Sequence, residues 1–414
     1  MKIIKYIIST LALVAACHMP AMAQSSTTPY SKLGYGILSD NATGMQRAMG
    51  GVGIAMQNGR QINVMNPASY SQVDSLTFLW DMGLDLTNCW SKEGTKSGYS
   101  LGGGLDYITM EFRLAKNLGA AIGIVPFSSV GYSFGGDITS GTDTRIGTGG
   151  FAEVFAGVGY QPFKGLSIGA NFSYLFGSTT NVTNVESTST TQFTRNMDVK
   201  DWNMRAGLQY AFNISRKNKV VIGLTYQPKK SLHGNAWGTM GDVTQDTKLD
   251  TVKYMTMKGN YELPNTFGVG VSYTYDNRLN VELDYTYQQW SKAKYTPIDY
   301  FEAPQTKWNN RWKVAAGMSY LPNPRGNYFN RMTYRLGAFY NNDYMNVNGN
   351  DVRDYGLGLG FSFPALAGNK TLVNLGVEWR HRYTAPTNLL KEDYLNITLS
   401  VNFNEMWFWK NKIR

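Results

Sequence analysis

In the segment YLNITLSVNF, Tyr394 to Phe403, Leu395, Ile397, Leu399, Val401 and Phe403 alternate with Asn396, Thr398, Ser400 and Asn402. A strict period of two marks a β-strand with one apolar and one polar face. The pattern recurs in NVELDYTYQQW (Asn280–Trp290), WNMRAGLQYAF (Trp202–Phe212), LVNLGVEWRHRY (Leu372–Tyr383) and YGLGLGFSF (Tyr355–Phe363). In a soluble sandwich the apolar face would form the core. The number of such strands, their length of about ten residues and the aromatic residues at their ends instead fit strands that cross a bilayer, apolar face outward. Trp80, Trp90, Tyr160, Trp202, Trp290, Trp312, Tyr320, Tyr383, Trp407 and Trp409 are the expected interfacial girdle.

The spacing of the connections agrees. Short ones (AKNLG from Ala115, QPFKG from Gln161, ISRKNK from Ile214, TYDNRLN from Thr274) alternate with long polar ones such as GGDITSGTDTRIG from Gly135 and STTNVTNVESTSTTQ from Ser178. Short periplasmic turns and long outer loops are the rule for such barrels. Parity makes the residues from Val252 to Tyr275 one long strand kinked at Pro264. The expected fold is all-β: a transmembrane antiparallel barrel of about 14 strands, running from residue 76 to 414 with a short basic C-terminal tail. No run of 18 apolar residues suggests a membrane helix.

The first 23 residues read as a secretory signal peptide. Lys2 and Lys5 precede an apolar run from Tyr6 to Cys17, and AMA (Ala21–Ala23) offers a cleavage site. A lipoprotein signal ending at Cys17 is the alternative. Export leaves Cys89 as the sole cysteine of the mature chain, so no internal disulfide forms. The formal net charge is +10. In an exported chain this favours an anionic membrane surface or ligand rather than nucleic acid. The expected location is the bacterial outer membrane, among outer-membrane lipid.

Residues 24–75 are neither strand nor solvated linker. They hold many glycines but also Ile54, Met56, Ile62, Val64, Met65 and Tyr70, whereas a disordered leader is poor in apolar residues. A barrel of this size has a lumen too wide for wall side chains to fill, so this segment is expected to be a plug inside it; a flexible periplasmic leader is the alternative. Pro67 fixes its own φ and pushes Asn66 toward an extended conformation, a turn suited to ending the plug and redirecting the chain into the wall.

The segment GMQRAMGGVGIAMQNGRQINVMNPASYSQVDSLTF (Gly44–Phe78) resembles the N-terminal hatch of the FadL/TodX family of outer-membrane long-chain fatty-acid and hydrocarbon transporters. The matching residues are Gly44, Arg47-Ala48, Gly51, Gly53, Ala55 and Asn66-Pro67-Ala68. ELPNTFGVGVSYTYDNRLNVELDYTYQQWSK (Glu262–Lys292) resembles a barrel hairpin of the same family. The resemblance implies uptake of hydrophobic or amphipathic, fatty-acid-like molecules. It also implies a kink in strand three that opens the wall beside the hatch. Pro126, within AAIGIVPFSSVGYSF, is the residue suited to make it, because proline cannot donate to a ladder. Arg47, Asn66, Pro67, Ala68 and Pro126 are therefore the gate and hatch candidates. Alternation turns Glu111, Arg113, Glu153, Arg205, Glu282, Asp284, Lys313, Arg335, Glu378 and Arg380 inward, with Phe155, Leu175, Val221, Phe339 and Leu372. Cross-barrel charge pairs that hold the plug are one reading. An amphipathic tunnel is the other, with Arg113 and Arg335 for a head group and Phe155, Leu175 and Phe339 for a tail.

No catalytic, metal or cofactor site is expected. GYSLG (Gly98–Gly102) matches G-x-S-x-G around Ser100, but it runs from a loop into a strand rather than from strand to helix. His233 and His381 are the only histidines of the mature chain and stand in no ligand spacing. GGVGIA has no preceding strand and is no dinucleotide fingerprint. The alternative function is a barrel of the same shape that serves a protein partner, such as a subunit of type IX secretion.

Overall fold

A computed structural model describes residues 28–139, 141–242, 250–302, 308–365 and 371–406. The signal-peptide residues, Trp407, Trp409 and the basic tail lie outside them. Fourteen antiparallel strands form the wall: β1 Thr77–Glu93, β2 Lys96–Ala115, β3 Leu118–Ser129, β4 Gly141–Phe163, β5 Leu166–Glu186, β6 Thr190–Asn213, β7 Asn218–Gln227, β8 Thr266–Tyr275, β9 Leu279–Gln288, β10 Arg311–Tyr320, β11 Thr333–Val347, β12 Asn350–Pro364, β13 Leu372–Ala385 and β14 Lys391–Met406. Each pairs with the next, and β14 closes on β1 from Thr77↔Met406 to Lys92↔Lys391. Closure gives each wall strand a neighbour on both sides, which is what makes a β-structure viable in a bilayer; the β2–β3 ladder ends short, at Ile108↔Ile124.

Burial follows the alternation. On β14, Leu399 is 45% exposed and its neighbour Thr398 only 5%. Leu399 pairs with Leu84, between Trp80 and Trp90 of β1, and so sits near the bilayer midplane. Arginine at a midplane lipid-facing site costs about 2–4 kcal/mol. Leu399→Arg should lose that much in vesicle unfolding titrations. Asn396→Arg, on the inward face of the same strand, should lose far less; equal losses would reverse the facing. Thr398 is a poor control, because Gly44 lies against it: a Cβ on Gly44 would sit 2.9 Å from Thr398 Cγ2.

Three expectations change. The residues from Val252 to Tyr275 are not one strand. Asp250–Thr256 pairs with Gly234–Asp242 in a hairpin that extends β6 outward, Glu262–Leu263 pairs with Lys230–Ser231, and the wall resumes at Thr266. The chain turns between them at Gly259 (φ +77°) and buries Met257 and Tyr261. Pro264, unable to donate, falls in the break. The parity survives because these pieces stand outside the wall. The long connections after β1, β3 and β5 are also not loops: the first and last ladders continue outward, to Glu93↔Lys96 and Glu186↔Thr190, and after β3 the strand Tyr132–Ile138 pairs with Gly141–Gly147 of β4. Finally, Trp290 is not in the girdle. It is buried and stacks on Tyr344 with ring centroids 4.5 Å apart. Trp80, Trp90, Tyr160, Trp202 and Tyr320 are exposed as expected.

Candidate functional site

Residues 28–76 lie against the inward face of the wall. The segment starts at the long-loop end, where the Thr28 hydroxyl donates to Glu392 (2.6 Å) and the Tyr30 hydroxyl to the Leu390 carbonyl (2.6 Å). Ile37–Leu38 then forms a two-residue strand on β3, pairing with Ser129 and Ser128. A single-turn helix, Gly44–Arg47, crosses β12–β14, with Gln46 accepting from the Thr43 N–H (2.8 Å). The Gly44 N–H donates to the hydroxyl of Tyr107 on β2 (2.9 Å).

The next turn is held through its backbone. Asp284 on β9 accepts from the Gly53 and Ile54 N–H groups (2.7 and 2.9 Å), and Glu282 from that of Ala55 (3.0 Å). Gln209 on β6 donates to the Ile54 and Met56 carbonyls (3.0 and 3.1 Å). Asn66 is extended (φ −132°, ψ 106°) and caps the turn Pro67–Gln72 by accepting from the Ala68 N–H (3.1 Å); its amide also donates to the Ile54 carbonyl (2.7 Å). The chain leaves past Arg113, whose guanidinium donates to Ser75 (2.7 Å) at the rim.

Backbone this close to the wall needs wall residues without side chains. A Cβ on Gly337 would lie 2.0 Å from the Met49 carbonyl carbon, on Gly223 2.1 Å from the Ile54 oxygen, and on Gly169 2.4 Å from the Pro67 carbonyl carbon. These glycines occupy the inward register of β11, β7 and β5.

Between the segment and the wall lies a cavity of about 170 Å³. Its lining is mixed: Ile37, Leu38, Ala48, Phe339 and Val377 are apolar, and charged side chains form much of the rest. Asp40 accepts from Arg311 and Lys313 (2.6 Å each), and Arg47 pairs with Asp106 (2.7 Å). Arg380 pairs with Glu378 (2.9 Å) and Asp354 (3.7 Å), and Arg382 lies between Asp354 and Asp343 (3.8 and 4.0 Å). Burial alone would raise the Asp40 carboxyl, but Lys313 and Arg311 outweigh it and hold the group well below the usual carboxylate range. Each of these five lining cations has a carboxylate partner. Phe339, the only aromatic candidate at this cavity, is covered by Lys313 and Arg380, 4.5 and 4.9 Å from its ring centroid.

The five proposed ligand residues are not brought together. Arg113 is at the rim, Arg335 is buried beneath Met45 (3.4 Å to Sδ), Phe155 packs with Tyr70, and Leu175 belongs to the cluster at the outer end. Asp40, Asp85, Asp106, Arg311, Asp343, Asp354 and Arg382 went unnamed as site residues. The wall members among them carry the same period-two signal as the residues that were named; Asp40 sits in an aperiodic stretch and has none. Toward the outer end Tyr35, Tyr261, Trp290, Tyr295, Trp308 and Tyr344 pack into one cluster, and the Tyr344 hydroxyl donates to the Gly36 carbonyl (2.8 Å). Pro126, Ser128 and Ser129 line the cavity where β3 leaves β2: that ladder ends at Ile108↔Ile124, and the register with β4 shifts between Pro126 and Ser128.

A closed fourteen-strand wall with an N-terminal segment bonded across its inner face has the fold of the FadL/TodX-type channels. The monoaromatic hydrocarbon channel CymD matches with TM-score 0.58 and 16% identity over 88% of this chain and 97% of that one. The Ralstonia pickettii toluene transporter TbuX matches with TM-score 0.60 and 15% identity (88% and 98%), and a Pseudomonas aeruginosa FadL homologue with TM-score 0.63 and 11% identity (89% and 99%). The chain belongs to the BamG family, whose model matches residues 3–414. Comparison with curated proteins found no match.

Proposed function

We propose that this chain is an outer-membrane barrel, closed by residues 28–75 acting as its plug, that serves a protein partner. The observation that carries this reading is the set of ion pairs lining the cavity. A hydrocarbon gains less there than among acyl chains, since burial rewards apolar surface at about 25 cal/mol per Å² only against apolar groups and charged side chains interrupt the apolar stretches of this wall. A fatty-acid head group would have to displace carboxylates already bonded to Arg311, Lys313, Arg47 and Arg380.

Uptake of a hydrophobic or amphipathic molecule is the second reading, and one observation favours it. The departure of β3 from β2 at Pro126 adjoins the cavity, and the fold is shared with proteins described as toluene transporters. Release would then pass sideways through the wall, with Phe339 beside the path.

Two measurements separate the readings. The chain purified from native membranes in mild detergent should run as a discrete stoichiometric complex by native mass spectrometry. Cells depleted of it should accumulate labelled toluene and oleate at the parent rate. A lone chain together with an uptake defect would overturn the partner reading. That defect should reappear in Pro126→Ala combined with Ser128→Val and Ser129→Val if the lateral path is used.

A further inference from the structure

The seam between β2 and β3 has two lips, and they differ. The β3 lip is covered from inside as far as Ser129: Ile37 and Leu38 pair with Ser129 and Ser128, and the Ser39 N–H donates to the Phe127 carbonyl (2.9 Å); beyond it Tyr132–Ile138 pairs with Gly141–Gly147 of β4 on its far side. The β2 lip is not. From Lys96 to Tyr107, β2 pairs with β1 on one side, and among the described residues no strand pairs with it on the other. Much of this edge lies at membrane depth. Tyr99 sits beside Trp90 of the outer belt (5.7 Å), while Trp80 at the opposite belt pairs with Met110. Tyr99, Leu101 and Leu105 point outward and are 59%, 58% and 45% exposed.

We propose that this edge, Tyr99 to Leu105, accepts an extended strand from a different outer-membrane protein. The inference rests on the partner reading and deepens it. Backbone N–H and C=O groups facing hydrocarbon must find partners. Acyl chains carry neither donors nor acceptors, so the occupant has to bring backbone of its own. Gly102, Gly103 and Gly104 leave the middle of the edge without side chains on either face. The occupant should alternate apolar and polar residues, continuing the lipid-facing row of Leu101 and Leu105. A second copy of this chain fits badly. Turned about an axis along the membrane normal, it presents the same edge running the same way, which sets N–H opposite N–H and C=O opposite C=O at equal height.

The test is amide hydrogen exchange over Tyr99–Leu105, read by mass spectrometry. It compares native outer-membrane vesicles with the purified chain in phosphatidylethanolamine/phosphatidylglycerol vesicles. The expected result is exchange at least about tenfold slower in the native vesicles. Equal rates overturn the proposal: fast in both means that cavity water serves the edge, slow in both that lipid or the chain itself does. A photoreactive residue at Leu101 supplies the identity, and an adduct with a second copy also overturns it. If a stoichiometric complex exists but the rates are equal, strand addition fails while the partner reading stands.

Discussion

Excising Gly44–Gly59 and bridging the ends with a flexible linker should convert a barrel that passes almost no current into an open pore. The excised residues carry many of the contacts that tie the segment across the lumen. Arg47 goes with its pair to Asp106, and so do the Gly53, Ile54 and Ala55 N–H groups held by Asp284 and Glu282. The wall itself should survive, because its ladder closes through β14 and β1 without help from the segment. Barrels of eight strands are filled by their own side chains and those of 16–18 leave an aqueous channel, so fourteen strands without the plug should conduct on the order of tenfold more. Single-channel recording in planar bilayers reads this directly. Unchanged low conductance would mean that residues 44–59 do not occlude the lumen, and the proposed plug would be wrong.

The wall was legible because period two is written into nearly every strand: the lipid face must be apolar and the lumen face need not be. YLNITLSVNF is as clear in the structure as in the sequence. The outer hairpins misled because nothing outside the bilayer demands a greasy face, so the ladder through STTNVTNVESTSTTQ reads as loop although it is strand. Trp290 misled for a related reason. An aromatic at a strand end is equally at home in a belt or under a folded loop, and only the packing of Tyr344 and Tyr35 against it decides. Pro126 was legible through the one hydrogen bond it cannot make. Its consequence was not, because the strand that takes up the edge of β3 is only Ile37–Leu38, too short to carry a pattern. The ion pairs of the cavity were half legible. Lys313, Glu378 and Arg380 alternate inward, but Asp40, which joins Lys313 to Arg311, has no periodic context.

The inward glycines allow a sharper test than excision, because a single methyl group can be placed where it clashes or where it does not. Glycine weakens a strand, so its repeated use on the lumen face needs a return. The close approach of plug backbone supplies one. At Gly337 a Cβ would meet the Met49 carbonyl carbon at 2.0 Å and the Gly50 nitrogen at 2.2 Å; at Gly223 it would meet the Ile54 oxygen at 2.1 Å. These are backbone atoms that no rotamer change can move aside. At Gly376, on the same inward face of β13, the nearest atom is 3.5 Å away, an ordinary contact. Overpacking costs about 1–3 kcal/mol per site, and distant sites add. The double variant Gly223→Ala/Gly337→Ala should therefore lose about 2–6 kcal/mol in vesicle unfolding titrations. It should also show flickering currents as the plug is pushed from its seat. Gly376→Ala should stay within about 0.5 kcal/mol of the parent and remain silent. Alanine favours a strand over glycine in the unfolded-state balance, so if the plug were not pressed on the wall all three changes would be neutral or mildly stabilising. Equal behaviour of the double variant and Gly376→Ala would thus detach the glycines from the plug and leave their place on the lumen face without a cause.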